Sequence, residues 1–303
     1  MLPVRDHGLR VPPASQGPGP IPPALVDALA MSLVRRGAGP LPGDRPAPGV
    51  GSGTELAQLR PYQIGDDVRQ LDAAASARTG APHVRLQVPE RILTTWLVVD
   101  LSASMAFGTA DRLKSDVAAG VAGVIGRAAT RHGGRLAVFT AGGPERALPP
   151  RGGPNARVAL RRLLEEGVAV DGVPDRGLGP VLHRVGKVAR QPGFVVIVSD
   201  FRGAPDWHRP LRMLRARHRI LAVEVRDPRE ERLEPAGRLA LVDPETGQRL
   251  EVDTSRRRLR ERFAAAAAEE RAAVAEQLRK GGALHVVLST QGDWLRTLGR
   301  ALQ

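Results

Sequence analysis

Asp100, Ser102 and Ser104 stand at alternate positions directly after the apolar run Trp96-Leu97-Val98-Val99. A run of that kind, bounded by small polar residues, reads as a buried strand, so one carboxylate and two hydroxyls leave its end together. Hard oxygen donors in this arrangement suit Mg²⁺, or Mn²⁺ in its place. A second apolar run, Phe194 to Ser199, stops at Asp200 in the same way. If both strands belong to one parallel sheet, the two carboxylates emerge at the same edge, where ligands of open α/β sheets bind. Two carboxylates at close range repel unless a cation lies between them or one holds a proton. The competing reading is that Asp100, Ser102 and Ser104 only cap the turn that follows the strand. Asp171 and Asp175 lie in a loop expected at the same edge, where a solvated turn accounts for them.

The elements that must position these residues are legible from periodicity. A strand is expected over residues 93–100, a helix over 111–132 with Leu113, Val117, Val121, Val124 and Ile125 on one face, and a strand over 135–140. Asn155 is placed to cap a helix ending near Glu166, and a second helix runs from Leu178 to Arg190. After the strand ending at Asp200, Asp206 opens a helix to Arg217, and Arg219 to Val225 forms the next strand. Strands alternating with helices predict βαβ units and a doubly wound, mostly parallel α/β sheet. Residues 239–252 read as a late β-hairpin around Asp243-Pro244-Glu245-Thr246-Gly247, with Thr254 or Ser255 capping the long helix to about Lys280. A strand at 284–288 and a helix at 294–302 close the chain.

Three divisions follow. Residues 1–53 form a Pro/Gly-rich N-terminal arm with one short helix, from Pro23 to Arg36. Residues 54–92 are a polar segment ending in an alternating strand at His83 to Pro89 that leads into the sheet, and residues 93–303 are the sheet domain. Within the segment, Asp66, Asp67, Arg69, Asp72 and Arg78 make an acidic and basic surface able to meet a partner.

Composition excludes several functions. The 303 residues contain no cysteine, which rules out disulfides, thiolate-bound zinc and cysteine nucleophiles. A net charge of +13 invites a nucleic-acid reading. Against it, the lysines are only Lys114, Lys187 and Lys280, the many arginines are spread along the chain, and five Phe and one Tyr leave little for bases to stack on. The seven histidines form no helical His-x-x-x-His pair, no phosphate-binding Gly-Lys-Ser/Thr occurs, and Ser102 lacks the Gly-x-Ser-x-Gly spacing of a nucleophile elbow. No apolar run approaches the roughly 20 residues that span a bilayer, and the cytoplasm is the expected location.

Asp100-x-Ser102-x-Ser104 after an apolar strand resembles the metal-ion-dependent adhesion site of von Willebrand factor A domains. More specifically, Gly53-Thr54-Glu55-Leu56, Leu59-Arg60-Pro61-Tyr62-Gln63-Ile64-Gly65-Asp66-Asp67-Val68-Arg69-Gln70-Leu71-Asp72 and Ser76-Ala77-Arg78 resemble the signature of the bacterial domain-of-unknown-function 58 family. Leu241 to Gly247 resembles that family's late hairpin. The resemblance implies a von Willebrand A-like, Rossmann-like fold and a non-enzymatic interaction module that acts with MoxR-type AAA+ ATPases in assembling or maturing other proteins. It implies Mg²⁺ held by Asp100, Ser102, Ser104 and Asp200, with a partner's carboxylate completing the coordination. Two departures stand out. Arg176 falls where such sites carry a threonine, and Ala73 follows Asp72 where the family has tryptophan. A guanidinium donates no oxygen and would itself neutralise Asp100 and Asp200, which gives the alternative of a metal-independent scaffold. A hydrolase using a metal-bound water is a third reading, with no second ligand cluster or general-base histidine to support it.

Overall fold

A computed structural model describes residues 9–10, 16–29, 56–87, 93–131, 133–172 and 176–302. The chain forms two compact units, one of residues 1–43 and 93–303, the other Asp44–Ile92.

The larger unit is built on a six-stranded sheet. In chain order its elements begin with β1 (Leu9–Arg10) and α1 (residues 23–29), and β2 (Leu56–Pro61), α2 (Ala73–Thr79) and β3 (His83–Gln87) belong to the other unit. There follow β4 (Thr94–Asp100), α3 (Lys114–Ala129), β5 (Arg135–Ala141), β6 (Ala147–Gly152), α4 (Gly153–Glu165), β7 (Val168–Ala169) and α5 (Gly179–Val188). Next come β8 (Gly193–Ser199), α6 (His208–Arg215), β9 (His218–Arg226), α7 (Pro228–Glu231), β10 (Arg238–Val242) and β11 (Arg249–Asp253). The chain ends with α8 (Arg257–Lys280), β12 (Leu284–Ser289) and α9 (Trp294–Leu302). The sheet order is β12-β9-β8-β4-β5-β6, with every pairing parallel except that of β6 with β5. This is the expected doubly wound, mostly parallel α/β architecture.

The middles of β4 and β8 are apolar without a break, and that of β9 is broken only by Glu224, because both faces of these strands are covered. Leu97, Val99, Val196, Val198, Leu221 and Val223 pack under α1, α3, α4 and α9, while Trp96, Val98, Val195, Ile197 and Ile220 pack under α5, α6 and α8. Burial of this two-sided core, at about 25 cal/mol per Å² of apolar surface, is what holds β4 and β8 side by side and so fixes their carboxyl ends.

The smaller unit contains β2 (Leu56–Pro61), α2 (Ala73–Thr79) and β3 (His83–Gln87). β3, the alternating strand expected ahead of the central one, pairs antiparallel with β2. The strand β2 was not expected, because Glu55 to Arg60 carries no clean alternation.

Other differences have local causes. β6, for which no strand was expected, is the antiparallel edge strand, and Pro149 and Pro150 blunt its outer side. α4 starts after Gly152 with Pro154 in its first turn, so Asn155 lies inside the helix instead of capping it. Arg256, not Thr254 or Ser255, precedes α8, because Thr254 is buried and bonded to the base of the hairpin. The expected helix over 23–36 is described only over 23–29, the remainder lying outside the described residues. Among the described residues no helix is long and apolar enough to cross a membrane.

Candidate functional site

β4 and β8 pair in register from Thr95 with Phe194 to Val99 with Val198, so Asp100 and Asp200 leave adjacent strands at one edge. Both are buried. Asp100 accepts the Ser199 hydroxyl at Oδ2 (2.5 Å) and the Ser102 amide at Oδ1 (2.9 Å). The hydroxyls of Ser102 and Ser104 lie 3.0 Å apart and bond to each other. Gly142, at φ +75°, makes room for this loop, since a Cβ there would fall within 3 Å of the Ser102 amide, the Ser102 Cβ and Asp100 Oδ1. After Asp200, Phe201 adopts φ +53°, a conformation that bulky residues rarely hold, and turns the chain away from the sheet.

The cation at this edge is Lys114. It is the first residue of α3, its side chain is fully buried, and Nζ donates to Asp200 Oδ2 and Glu230 Oε1, each at 2.6 Å. A lysine at a helix N-terminus faces the positive end of the helix dipole, so the two carboxylates must outweigh both that and the loss of water. Burial alone would favour a neutral amine, yet Asp200 and Glu230 hold Lys114 above the ordinary lysine value. Burial likewise opposes ionisation of Asp200, but the Lys114 ammonium holds its carboxyl below the usual range. Among the described residues no cation pairs with Asp100, and burial, followed by the Asp200 charge, pushes it up to about 6.

The network continues inward. Arg271 Nη1 donates to the Asp200 carbonyl and to Glu224 Oε1, both at 2.8 Å, and Nη2 lies 3.7 Å from Glu230 Oε2. Glu224, wholly buried in β9, also receives Arg226 at 2.9 and 3.0 Å and His285 Nε2 at 2.8 Å. Burial opposes its charge, but these donors hold Glu224 below the ordinary value. α7 is fixed by Asp227, whose carboxylate takes Thr109 N (2.7 Å), Thr109 Oγ1 (2.6 Å) and Thr290 Oγ1 (2.7 Å), and this places Glu230 against Lys114.

The residues present do not fit a divalent cation. Mg²⁺ needs close to octahedral oxygen coordination at about 2.1 Å. Here Asp200 Oδ2 is engaged by an ammonium, both Asp100 oxygens accept hydrogen bonds, and the two serine hydroxyls bond to one another. A divalent ion would also meet the Lys114 charge at close range. Among the described residues no group of three or more His, Asp or Glu is arranged to hold a metal. The expected counter-charge, Arg176, is corrected: it is exposed and is not the group paired with Asp200. Asp175 lies outside the described residues.

In the smaller unit, three of the expected partner residues serve local structure. Asp66 accepts Arg60 Nη2 (2.6 Å) and the Gln63 amide (2.8 Å), Asp67 caps the turn at Val68–Gln70 through the Arg69 amide, and buried Asp72 caps α2 through the Ala75 amide. Arg69 and Arg78 are exposed.

Lys114, Glu230, Arg271 and Glu224 escaped the sequence reading. One signal for them existed: Glu224 interrupts the apolar run from Ile220 to Val225, and a charge in a buried strand must be paired. Asp227-Pro228-Arg229-Glu230 is also a capping-box pattern that announces α7.

Residues 58–273 match the family described as protein of unknown function DUF58. The chain belongs to that family. It is 39% identical over 282 residues to an uncharacterized protein of Mycobacterium tuberculosis (strain ATCC 25618 / H37Rv), covering 91% of this chain and 87% of the relative. The same figures hold for an uncharacterized protein of Mycobacterium bovis. Among solved structures it is similar to the conserved hypothetical protein BatB from Bacteroides thetaiotaomicron, with TM-score 0.43, 11% identity, and coverage of 69% of this chain and 97% of that one. It is also similar to the SpRpn10 VWA domain, with TM-score 0.36, 12% identity, and coverage of 68% and 93%. Within this DUF58 chain the family match contains Asp100, Lys114, Asp200, Glu224, Glu230 and Arg271, while His285 lies beyond it.

Proposed function

We propose that this DUF58 chain is a non-catalytic, cytoplasmic protein-interaction module that presents the carboxyl edge of its sheet without a divalent cation. Its partner, on the reading that the family resemblance implies, is a MoxR-type AAA+ ATPase acting in the assembly or maturation of other proteins. The observation that carries the reading is the buried Lys114 ammonium between Asp200 and Glu230. It leaves Asp200 charge-compensated, while Asp100 is saturated by Ser199 and Ser102, so neither is poised as a general base or as a ligand for a metal-bound water. Perturbed carboxylates here belong to an ion-pair network that stiffens a loop surface. The exposed Arg69 and Arg78, together with fully exposed Ile64, support a second contact surface in the smaller unit.

Capture of the ATPase by the tagged full chain tests this. Arg202, partly exposed beside Glu230 and Glu270, marks the edge. Arg202→Ala is expected to lower capture at least about fivefold, a typical single-contact effect at an interface, with unfolding midpoints unchanged. No capture by the wild-type chain, or equal capture by the variant, would overturn the reading.

A further inference from the structure

Arginines are spread along the chain, but the carboxylates that would balance them are not. Residues 176–219 carry ten Lys and Arg against two Asp. Of these, Asp200 is buried against Lys114, and Asp206 accepts the Gly179 amide at 3.0 Å. In the fold this stretch supplies α5 and α6, which pack side by side on one face of the sheet. Val181, Leu182 and Val185 of α5, with Leu211 and Leu214 of α6, are buried in the core beneath them. Lys187, Arg209 and Arg212 therefore stand on the outer side of the pair and are exposed.

The segments that follow the two helices extend this surface. Gly193 pairs with His218 at the starts of β8 and β9, so Arg190 and Arg217, just ahead of them, lie together at the amino edge of the sheet. Buried His218 bonds the Ala189 carbonyl at 3.1 Å and ties the two segments to each other. Both arginines are exposed. Among the described residues no carboxylate pairs with Lys187, Arg190, Arg209, Arg212 or Arg217, and Glu145 is taken by Arg184 at 2.9 Å. Arg209 and Arg212, three apart on one helix, repel each other, so the fold bears this charge at a cost. Two apolar side chains stand among the cations, Val188 exposed by 49% and Met213 by 60%. Neither helix contains Phe, Tyr or Trp on which a base could stack.

We propose that the outer face of α5 and α6, with Arg190 and Arg217, docks on the surface of an anionic lipid bilayer. Unpaired cations meet the headgroup phosphates, and Met213 and Val188 enter the boundary between headgroups and acyl chains. Arg190 and Arg217 lie at the opposite end of the strands from Asp200, roughly 20 Å away along seven-residue β8. The contact goes beyond the interaction-module reading and leaves the carboxyl edge of the sheet free for a protein partner.

Flotation of the full chain with vesicles tests this. Vesicles of about 30% phosphatidylglycerol in phosphatidylcholine are expected to bind it saturably at about 50 mM salt and to release it at about 0.5 M, while pure phosphatidylcholine vesicles bind none. Lys187→Ala combined with Arg212→Ala and Arg217→Ala should lower partitioning about 100-fold, at about fivefold for each cation near such a surface, with the urea midpoint unchanged. A control chain carrying Arg161→Ala, Arg257→Ala and Arg296→Ala loses the same net charge from exposed sites elsewhere and should keep most of its binding. Met213→Ser should weaken binding at least about threefold through lost apolar burial. Equal losses in the two triple variants, or wild-type binding that ignores lipid charge, would overturn the proposal. Binding to duplex DNA but not to anionic vesicles at the lower salt would give the face to nucleic acid and overturn it as well. The ATPase capture is a separate measurement, so its failure counts against the protein partner and not against this face.

Discussion

Replacing Lys114 by methionine keeps an unbranched side chain, one atom shorter, and removes its charge. In the wild type the ammonium meets Asp200 and Glu230 at 2.6 Å with no solvent access. Two unit charges about 4 Å apart attract by about 4 kcal/mol at an effective dielectric constant of about 20, so two pairs supply about 8 kcal/mol, against several kcal/mol for burying the ammonium. The variant loses the attraction but still buries both carboxylates, a situation that costs about 3–5 kcal/mol. Asp200 keeps the Arg202 amide, and Glu230 keeps Arg202 and Arg271 nearby, which places the expected loss at the lower end, about 3 kcal/mol. For a unit of this size that lowers the unfolding midpoint by about 6–12 °C. Urea unfolding followed by the buried tryptophans Trp96, Trp207 and Trp294 measures it, with the denaturant slope unchanged. Adding Asp200→Asn to Lys114→Met should recover at least about 1 kcal/mol, because the stranded charge is gone. A loss below about 1 kcal/mol, or strict additivity of the two substitutions, would refute the claim that this ion pair organises the edge.

The remaining expectations concern the groups around it. Asp100, pushed up to about 6, binds its proton more tightly folded than unfolded, so its contribution is complete below about pH 4 and is lost as pH rises through about 6. Over that window the wild type should lose up to about 3 kcal/mol relative to Asp100→Asn; parallel pH profiles would contradict this. Asp200 and Glu224 are held low, so their stabilisation is present above about pH 4 and is lost below it. Arg271→Met should cost about 2–3 kcal/mol, and Arg271→Lys should not restore it, because one ammonium lacks the fork that joins the Asp200 carbonyl to Glu224. Gly142→Ala should cost at least about 2 kcal/mol in urea unfolding and raise exchange of the Ser102 amide, through strain at positive φ and the clash with Ser102 and Asp100; a neutral outcome would mean that the loop gives way freely.

The fold was legible where burial is strongest. The unbroken apolar runs ending at Asp100 and Asp200 fixed the central strands, because a strand covered on both faces has no polar side to disguise it. β2 and β6 were hard to see for the opposite reason: one is a strand of a two-stranded sheet in the small unit, the other an edge strand carrying two prolines. The site was half legible. Asp100 and Asp200 announce themselves by position in their own strands, whereas Lys114 sits on a helix whose pattern reads as a solvated start, and its burial depends on Glu230 from a four-residue helix 116 residues away. The order Asp-x-Ser-x-Ser suggests a metal only while the surrounding charges are unknown. Arg176, the nearest cation by alignment of loops, is not the one that folding delivers to Asp200.

Titration of Mn²⁺ or Mg²⁺ into the full chain, beside the same titration of Lys114→Ala, is the most direct test of a metal-independent edge. The account predicts no saturable binding by the wild type and binding by Lys114→Ala, where Asp200 and Glu230 are left without their ammonium. Saturable binding by the wild type that disappears in Asp100→Ala or Asp200→Ala would contradict it.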